Sequence, residues 1–365
     1  QAYFCFCSET ELTLQRKIQA SRGLPPRYPG TCRNLTDSEI AERKAAGIPA
    51  TLRFKIPSNQ EVVFEDVVKG QQIFQTDDIG DFIIRRADGS ASFLFCNAVD
   101  DALMKVTLAL RGEDHLSNTP RQLLIAKALG LTPPQYGHIS LILGNDGAPL
   151  SKRNGSLSVA ELRADGFLPE GILNYLARLG HYYEQTAWLT PQELAMFFKI
   201  KNLGVAPARF DEIQLKHWQH EAVLRLDAAS FWSWCGEDVS RLVPDELHEL
   251  FFKSLKGNIL FPSDAKEWAK ILYGEFKLND TIINELKTVN KNYFIKAVEL
   301  WGKIEFKSLI QELSTSLNLK GKALFSPLRL ALTGRKDGPE LSALQELLTY
   351  SEAIKRLSEA ADAIG

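Results

Sequence analysis

The stretch VTLALRGEDHLSNTPRQLLIAKALGLTPPQYGHISLIL, residues 106–143, decides how the first part of this chain folds. Val106 to Leu110 is a short apolar run of the kind that makes a buried strand. Thr119-Pro120 offers a cap followed by proline at the first helical position, and Arg121 to Leu129 reads as a helix closed by Gly130. His138 to Leu143 reads as a second buried strand. Strand, helix and strand with short joints predict a crossover between parallel strands, and such sheets bind ligands beyond the carboxyl ends of their strands. Two loops are thereby singled out, Arg111 to Asn118 and Gly144 to Gly155.

Upstream, Glu9 to Gly23 reads as a helix, followed by β-type runs at Thr51 to Ile56, Glu61 to Phe64 and Asp81 to Arg85 before the turn Asp88-Gly89. From Val159 onward the pattern is helical, punctuated by Pro169, Pro191, Pro207, Pro262 and Pro327. The fold class expected is α/β plus all-α: a parallel sheet, then a helical C-terminal region. A chain of 365 residues with 45% hydrophobic content supports several cores. No run approaches the ~18–20 apolar residues of a membrane span, and the opening has no signal-peptide pattern, so no membrane partner and a cytoplasmic location are expected. Five cysteines, an odd and sparse set, fit a reducing compartment. The net charge of −2 announces no nucleic-acid binder, so any polyanion site needs local clustering. Lys320, Lys322, Arg329, Arg335 and Lys336 cluster in this way, but a solvated helix face looks the same.

The chemistry of the two loops is complementary. Lys152 and Arg153 lie on a segment with glycines at both ends, where mobile cations suit a transferring phosphoryl group, although an exposed hairpin loop can carry the same residues. Arg111 ends a strand and can pair bidentately with a substrate carboxylate, or with Glu113 or Asp114 as internal scaffolding.

Taken together, Val99-Asp100-Asp101, Arg111-Gly112-Glu113-Asp114-His115-Leu116-Ser117-Asn118-Thr119-Pro120 and Leu150-Ser151-Lys152-Arg153 closely resemble the bacterial-type glutamyl-tRNA synthetases, which are class I aminoacyl-tRNA synthetases. The resemblance extends to Arg27-Tyr28-Pro29-Gly30-Thr31-Cys32-Arg33 and to Pro327-Leu328-Arg329-Leu330-Ala331-Leu332-Thr333-Gly334-Arg335. It implies a partial Rossmann-like nucleotide fold with an α+β insertion. Residues 1–91 would be the insertion holding the acceptor end and 92–148 the second half of the nucleotide fold. Residues 149–222 would carry the stem-contact region with a KMSKS-like loop, and 223–365 the helical anticodon-binding domain.

The implied activity is ATP-dependent attachment of glutamate to tRNA(Glu) through a glutamyl-adenylate, with ATP and Mg²⁺ as cofactors and a monomeric enzyme. The alternative is a tRNA-binding fragment that does not activate glutamate. By resemblance, Lys152, Ser151 and Arg153 serve catalysis, Arg111, Asn97 and Phe93 hold glutamate, and Lys152, Asp114, His115 and Leu143 contact ATP. Pro149 stands where the signature usually has its first lysine, and Phe93 stands where many relatives have tyrosine. A phenyl ring cannot donate that hydrogen bond. The other class I signature, HIGH, is not found, and the chain opens at a point well inside its relatives, so a truncated or partly observed form is expected.

Cys5, Cys7 and Cys32 form a candidate Zn²⁺ site, for which resemblance to the related glutamyl-queuosine enzymes implies Tyr28 as fourth ligand, against the alternative of reduced cysteines left from a lost site. Trp218, Trp232, Trp234 and Trp301 are either stacking platforms for anticodon bases or, as tryptophans at helical spacing usually are, core.

Overall fold

The computed structural model describes residues 1–144, 146–150 and 158–364. Ser151, Lys152 and Arg153 lie outside the described residues. Two compact units emerge. The first comprises Gln1–Ser156, Arg178–Thr186 and Ala195–Phe210; the second comprises Leu157–Ala177, Ala187–Leu194 and Asp211–Gly365.

The first unit is built on two sheets and a short strand pair. Strands β1 (Ala2–Cys5) and β2 (Thr51–Phe54) pair antiparallel, and β2 continues to β5 (Phe82–Arg85). Helices α1 (Glu9–Ser21) and α2 (Asp37–Ala45) open with reciprocal capping boxes, Ser8 with Glu11 and Thr36 with Glu39, which satisfy their first free N–H groups. The second sheet has the order β4-β3-β7-β6, with β3 at Glu61–Asp66, β4 at Gly70–Gln75, β6 at Leu108–Gly112 and β7 at Gln135–Ile139. Its β3–β4 hairpin turns on Asp66, whose Oδ1 accepts the N–H groups of Val68 and Lys69 at 2.9 Å each. Gly70 supplies the left-handed φ of +71° that closes the turn. The expected crossover is present: β6 and β7 run parallel, with Arg111 opposite His138. Between them α5 (Thr119–Leu129) has proline in its first turn and ends on Gly130 at φ 65°.

Several expectations are corrected. The strand expected at Val106–Leu110 lies two residues later, so Arg111 and Gly112 belong to it. It is the edge of its sheet and half-exposed, Leu110 showing 38% of its surface, because β7 covers one side of it alone. The strand expected at His138–Leu143 breaks after Ile139; Ile142–Leu143 forms β8, which pairs parallel with β9 (Ala208–Arg209). β1 and β4 carried too weak an alternation to be read, β4 having three glutamines in six residues. β3 and β4 fall within residues 1–91 yet share a sheet with β6 and β7. The one-turn helix α3 (Thr76–Ile79) follows β4, and helix α4 (Phe93–Leu103), capped by Ser92, packs with α5 over a core that includes Phe54, Phe82, Ala98, Leu124 and Ile125.

The second unit is helical, around Phe231, Phe251, Trp268, Phe294, Trp301, Leu328, Leu344 and Leu357. The helix Lys322–Thr333 runs through Pro327, which therefore does not end it. Trp218 and Trp301 are buried at 7% and 1% exposure. Trp232 stacks on His248, and Trp234 donates its indole N–H to the Gly166 carbonyl at 2.8 Å. These indoles serve packing. Of the basic cluster, Arg335 pairs with Glu267 and Asp337, Lys336 with Glu285, and Arg329 bonds the Pro339 carbonyl. No described helix is long and apolar enough to cross a membrane.

Candidate active site

The β6–β7 pairing puts Arg111 at the end of its strand beside His138, and α4 and α5 bring three more polar groups to them, Asn97, Thr119 and Gln122. The Arg111 guanidinium donates from Nε to His138 Nε2 at 3.2 Å and from Nη1 to Asn97 Oδ1 at 3.4 Å. From Nη2 it reaches Thr119 Oγ1 at 2.6 Å and Gln122 Oε1 at 2.7 Å. The Gln122 amide in turn donates to Asn97 Oδ1 at 2.5 Å. Beneath the guanidinium, 4.8 Å away, lies the ring of Tyr136.

Donor and acceptor roles in this network follow by elimination. Arginine has no acceptor, so His138 Nε2 must accept, and the imidazole is neutral with its proton on Nδ1. That proton faces Asp66 Oδ2 at 2.5 Å, while Asp66 Oδ1 takes the His138 backbone N–H at 3.2 Å. The Thr119 hydroxyl, 3.0 Å from His138 Nε2, then donates to it while accepting from Arg111. Burial pulls the His138 pKa below its ordinary value against the opposing pull of Asp66. Asp66 is fully enclosed, and burial alone would raise its pKa; its bonds from His138, Lys69 and Val68 hold it below the usual value instead.

The scaffolding alternative for Arg111 fails. Glu113 pairs with Lys69 at 2.7 Å and accepts the Leu141 N–H at 3.1 Å, which lowers its pKa, and Asp114 stays exposed beside His115 at 3.7 Å. Among the described residues no carboxylate lies within 4.0 Å of Arg111, and one Nη1–H has no partner. Four neutral acceptors thus hold a full positive charge in place, with a donor to spare. That arrangement suits an anionic ligand with carboxylate geometry.

The other expected residues are distributed around this point. Asn97 joins the network directly. Phe93 opens α4, is 52% exposed and tilts over His115 at 5.6 Å. His115 also contacts the Asn118 amide at 3.2 Å. Leu143 is half-buried in β8, its carbonyl accepting the Phe210 N–H at 2.9 Å. Sequence reading missed Asp66, Thr119, Gln122, Tyr136 and the part played by His138. Only the turn-forming Asp66-Val67-Val68-Lys69-Gly70 offered a signal, and it pointed to a turn.

A second cluster lies where β1 ends. The thiols of Cys5, Cys7 and Cys32 all lie within 4.8 Å of one another, and Cys7 and Cys32 are 3.7 Å apart. This is close to the ~3.8 Å edge of a tetrahedron with ~2.3 Å Zn–S arms. The Tyr28 hydroxyl lies 3.3 Å from Cys5 Sγ and 3.6 Å from Cys7 Sγ, and its oxygen accepts the Cys32 N–H at 2.9 Å. Burial opposes ionisation of Cys5, but the Tyr28 hydroxyl and the Arg53 guanidinium outweigh it and bring the pKa down to about 7. Cys7, half-buried beside it, is pushed up by desolvation to about 11. Arg53 lies over the Tyr28 ring at 3.8 Å, so a buried cation stands ready to offset the excess negative charge of three thiolates on a divalent ion. The donor set fits Zn²⁺, with Tyr28 in the fourth position.

A mixed sheet whose parallel strands carry an arginine of this kind at a strand end, preceded by an α+β segment and followed by helices, fits the layout of a class I synthetase. Residues 1–217 match the family described as tRNA synthetases class I (E and Q), catalytic domain, and residues 255–361 match an anticodon binding domain. The chain belongs to the class I glutamyl- and glutaminyl-tRNA synthetase family. It is similar to glutamate–tRNA ligase 1 of Coxiella burnetii, 49% identical over 363 residues covering 99% of this chain and 78% of that protein. It is likewise similar to glutamate–tRNA ligase 1 of Halorhodospira halophila, at 50% identity with 99% and 76% covered. The crystal structure of a glutamate tRNA ligase from Elizabethkingia meningosepticum, in complex with its amino acid, shares the fold, with a TM-score of 0.85 at 24% identity, covering 100% of this chain and 80% of that one.

Proposed function

We propose that this protein is a cytoplasmic, monomeric ligase that attaches glutamate to the 3′ end of tRNA(Glu) at the expense of ATP. The α-carboxylate of glutamate attacks the α-phosphate of ATP, the bond to pyrophosphate breaks, and the terminal adenosine hydroxyl of the tRNA then takes the glutamyl group and releases AMP. Mg²⁺ accompanies ATP and neutralises phosphate charge. The observation that carries this reading is the Arg111 guanidinium, fixed by His138, Asn97, Thr119 and Gln122 with its charge unpaired. It receives a carboxylate of glutamate, with Asn97 and Phe93 beside it. Lys152, Ser151 and Arg153 serve the phosphates, and Asp114, His115 and Leu143 the nucleotide. Cys5, Cys7, Cys32 and Tyr28 hold a structural Zn²⁺.

The test is charging by the full-length protein with labelled glutamate, ATP and tRNA. Charging of tRNA(Glu) is expected, and the same assay with tRNA(Gln) reads the breadth of specificity. Binding of tRNA without charging would contradict the ligase and mark a binding module. A Lys152→Ala rate within about threefold of wild type would remove that lysine from transition-state stabilisation, which is worth far more than threefold when it operates. Elemental analysis should find about one zinc per chain, as a closed four-ligand site requires; less than about a tenth of an equivalent would end the metal assignment.

A further inference from the structure

A pocket of about 280 Å³ opens on the first unit among α1, the Pro26-Arg27-Tyr28 segment, β2, β5 and α5. Its wall carries four guanidinium groups, Arg16, Arg27, Arg53 and Arg121. Arg27 is accounted for, since Nη2 pairs with Asp78 at 2.8 Å and Nη1 donates to the Asp77 carbonyl at 2.6 Å. The other three have no carboxylate within ion-pair reach among the described residues. Asp81, the acid that also lines the wall, is already engaged: its oxygens take Arg33 at 2.5 Å, the Ile56 N–H at 2.9 Å and the Tyr3 hydroxyl at 2.7 Å.

The three cations without a carboxylate differ in setting. Arg53 is 5% exposed, lies near Cys5 and donates to the Asp81 carbonyl at 3.3 Å, and its Nε has no partner. Arg121 donates to the carbonyls of Ser117 at 2.5 Å and Ile79 at 3.5 Å, and burial lowers its pKa with no acid nearby to counter the effect. Arg16 is exposed. Like charges in a small, partly buried space repel more than on open surface, because less water screens them. An anion among them reverses the sign of every one of those interactions.

We infer that this pocket is a phosphate-oxyanion site and that, within the function proposed above, it holds one backbone phosphate of the tRNA. The forked guanidinium matches phosphate geometry, and the volume admits a single phosphate group. Arg16 lets the ligand enter from solvent and continue as a chain. The inference rests on tRNA being the partner.

The test uses the full-length protein with Arg16→Gln and Arg121→Gln, singly and together, leaving Arg53 intact because it also supports the cysteine cluster. Arg16 lies on the surface, so its replacement leaves the fold alone, and thermal melting checks Arg121→Gln. Each change is expected to weaken tRNA binding about five- to twentyfold and to flatten the slope of log K against log salt by about 0.7 to 0.9. The KM values for glutamate and ATP at saturating tRNA stay within about twofold, because neither substrate touches the pocket. Inorganic phosphate at constant ionic strength competes with tRNA on the wild type and loses that effect on the double variant. Unchanged tRNA affinity and salt slope in both variants would overturn the site. A rise in the KM for ATP instead would assign the pocket to nucleotide phosphate and also overturn it. A wild type that binds no tRNA sinks the function itself, whereas normal wild-type binding with unaffected variants sinks the pocket alone.

Discussion

Two arginines withdrawn from solvent, one in each unit, show how structural and binding cations differ. Arg356, fully buried in the helical unit, brings its own carboxylate: Nε pairs with Glu352 at 2.8 Å, Nη1 donates to the Leu332 carbonyl at 2.6 Å, and the guanidinium lies over Phe276 at 4.1 Å. Arg111 in the sheet unit has more hydrogen-bonding partners, yet all of them are neutral. The lesson concerns charge. A cation that serves packing is neutralised within the fold, because an uncompensated buried charge is costly. A cation that serves binding is oriented by neutral acceptors, so its charge remains for the ligand.

The comparison can be broken most sharply at Arg356. Replacing it with alanine leaves Glu352 without its cation and opens a cavity, and the helical unit should lose about 3–5 kcal/mol. A melting curve reads this, while the KM for glutamate of the folded protein stays at the wild-type value. A variant that melts normally would put Arg356 outside the structural class.

Next in size is Asp66→Asn. Its carboxylate fixes the Nδ1–H tautomer of His138, and the imidazole fixes Arg111 Nε. Loss of that orientation should lower kcat/KM for glutamate about tenfold, the scale on which outer partners of a functional histidine act. KM for ATP is the control, and a comparable loss of kcat/KM for ATP would reduce Asp66 to a general structural role.

Acid sharpens the same point. Because burial holds the native His138 pKa below the ordinary value of about 6.5, the unfolded chain takes up this proton first as pH falls. The stability contributed by neutral His138 is therefore complete above about pH 6.5 and is lost below it. A protonated ring would also turn an N–H against the Nε–H of Arg111, with Lys69 adding repulsion and Asp66 opposing it. KM for glutamate should stay flat through the ordinary histidine range and climb only once pH falls to the depressed native pKa; a rise already above about pH 6.5 would contradict the neutral ring. The smallest effect is expected at Phe93→Tyr. A hydroxyl at that exposed position adds a neutral hydrogen bond worth about 1 kcal/mol, so KM for glutamate should fall about fivefold. No change would show that glutamate does not reach Phe93.

Much of this was legible because it is local. The proline start and glycine end of α5, the span of α1 and the crossover are written in short windows, and Arg111 and Asn97 stood out through their resemblance to a known family. What escaped detection is non-local or geometric. Asp66 and His138 are 72 residues apart and meet only because β3 and β7 pair in parallel with Asp66 opposite Tyr136. A two-residue offset in β6 changed Arg111 from a loop residue into a strand residue, and strand ends are where apolar periodicity is least informative. Nothing in the loop sequence showed that Glu113 would turn to Lys69 rather than to Arg111, since both cations lie within its reach. The tryptophans show the converse: Trp218 and Trp301 are core, as helical spacing places large rings inward by default, while Trp232 and Trp234 are half-buried and pack against that core.

What Arg111 binds decides the function of the site. The direct measurement is the KM for glutamate of Arg111→Ala against wild type, in tRNA charging at saturating ATP and tRNA, with folding checked by melting temperature. The unpaired guanidinium predicts a KM at least about thirtyfold higher, since losing a charged hydrogen-bond partner costs about 2 kcal/mol or more. A KM within about twofold of wild type in a folded variant would show that the glutamate carboxylate is held elsewhere.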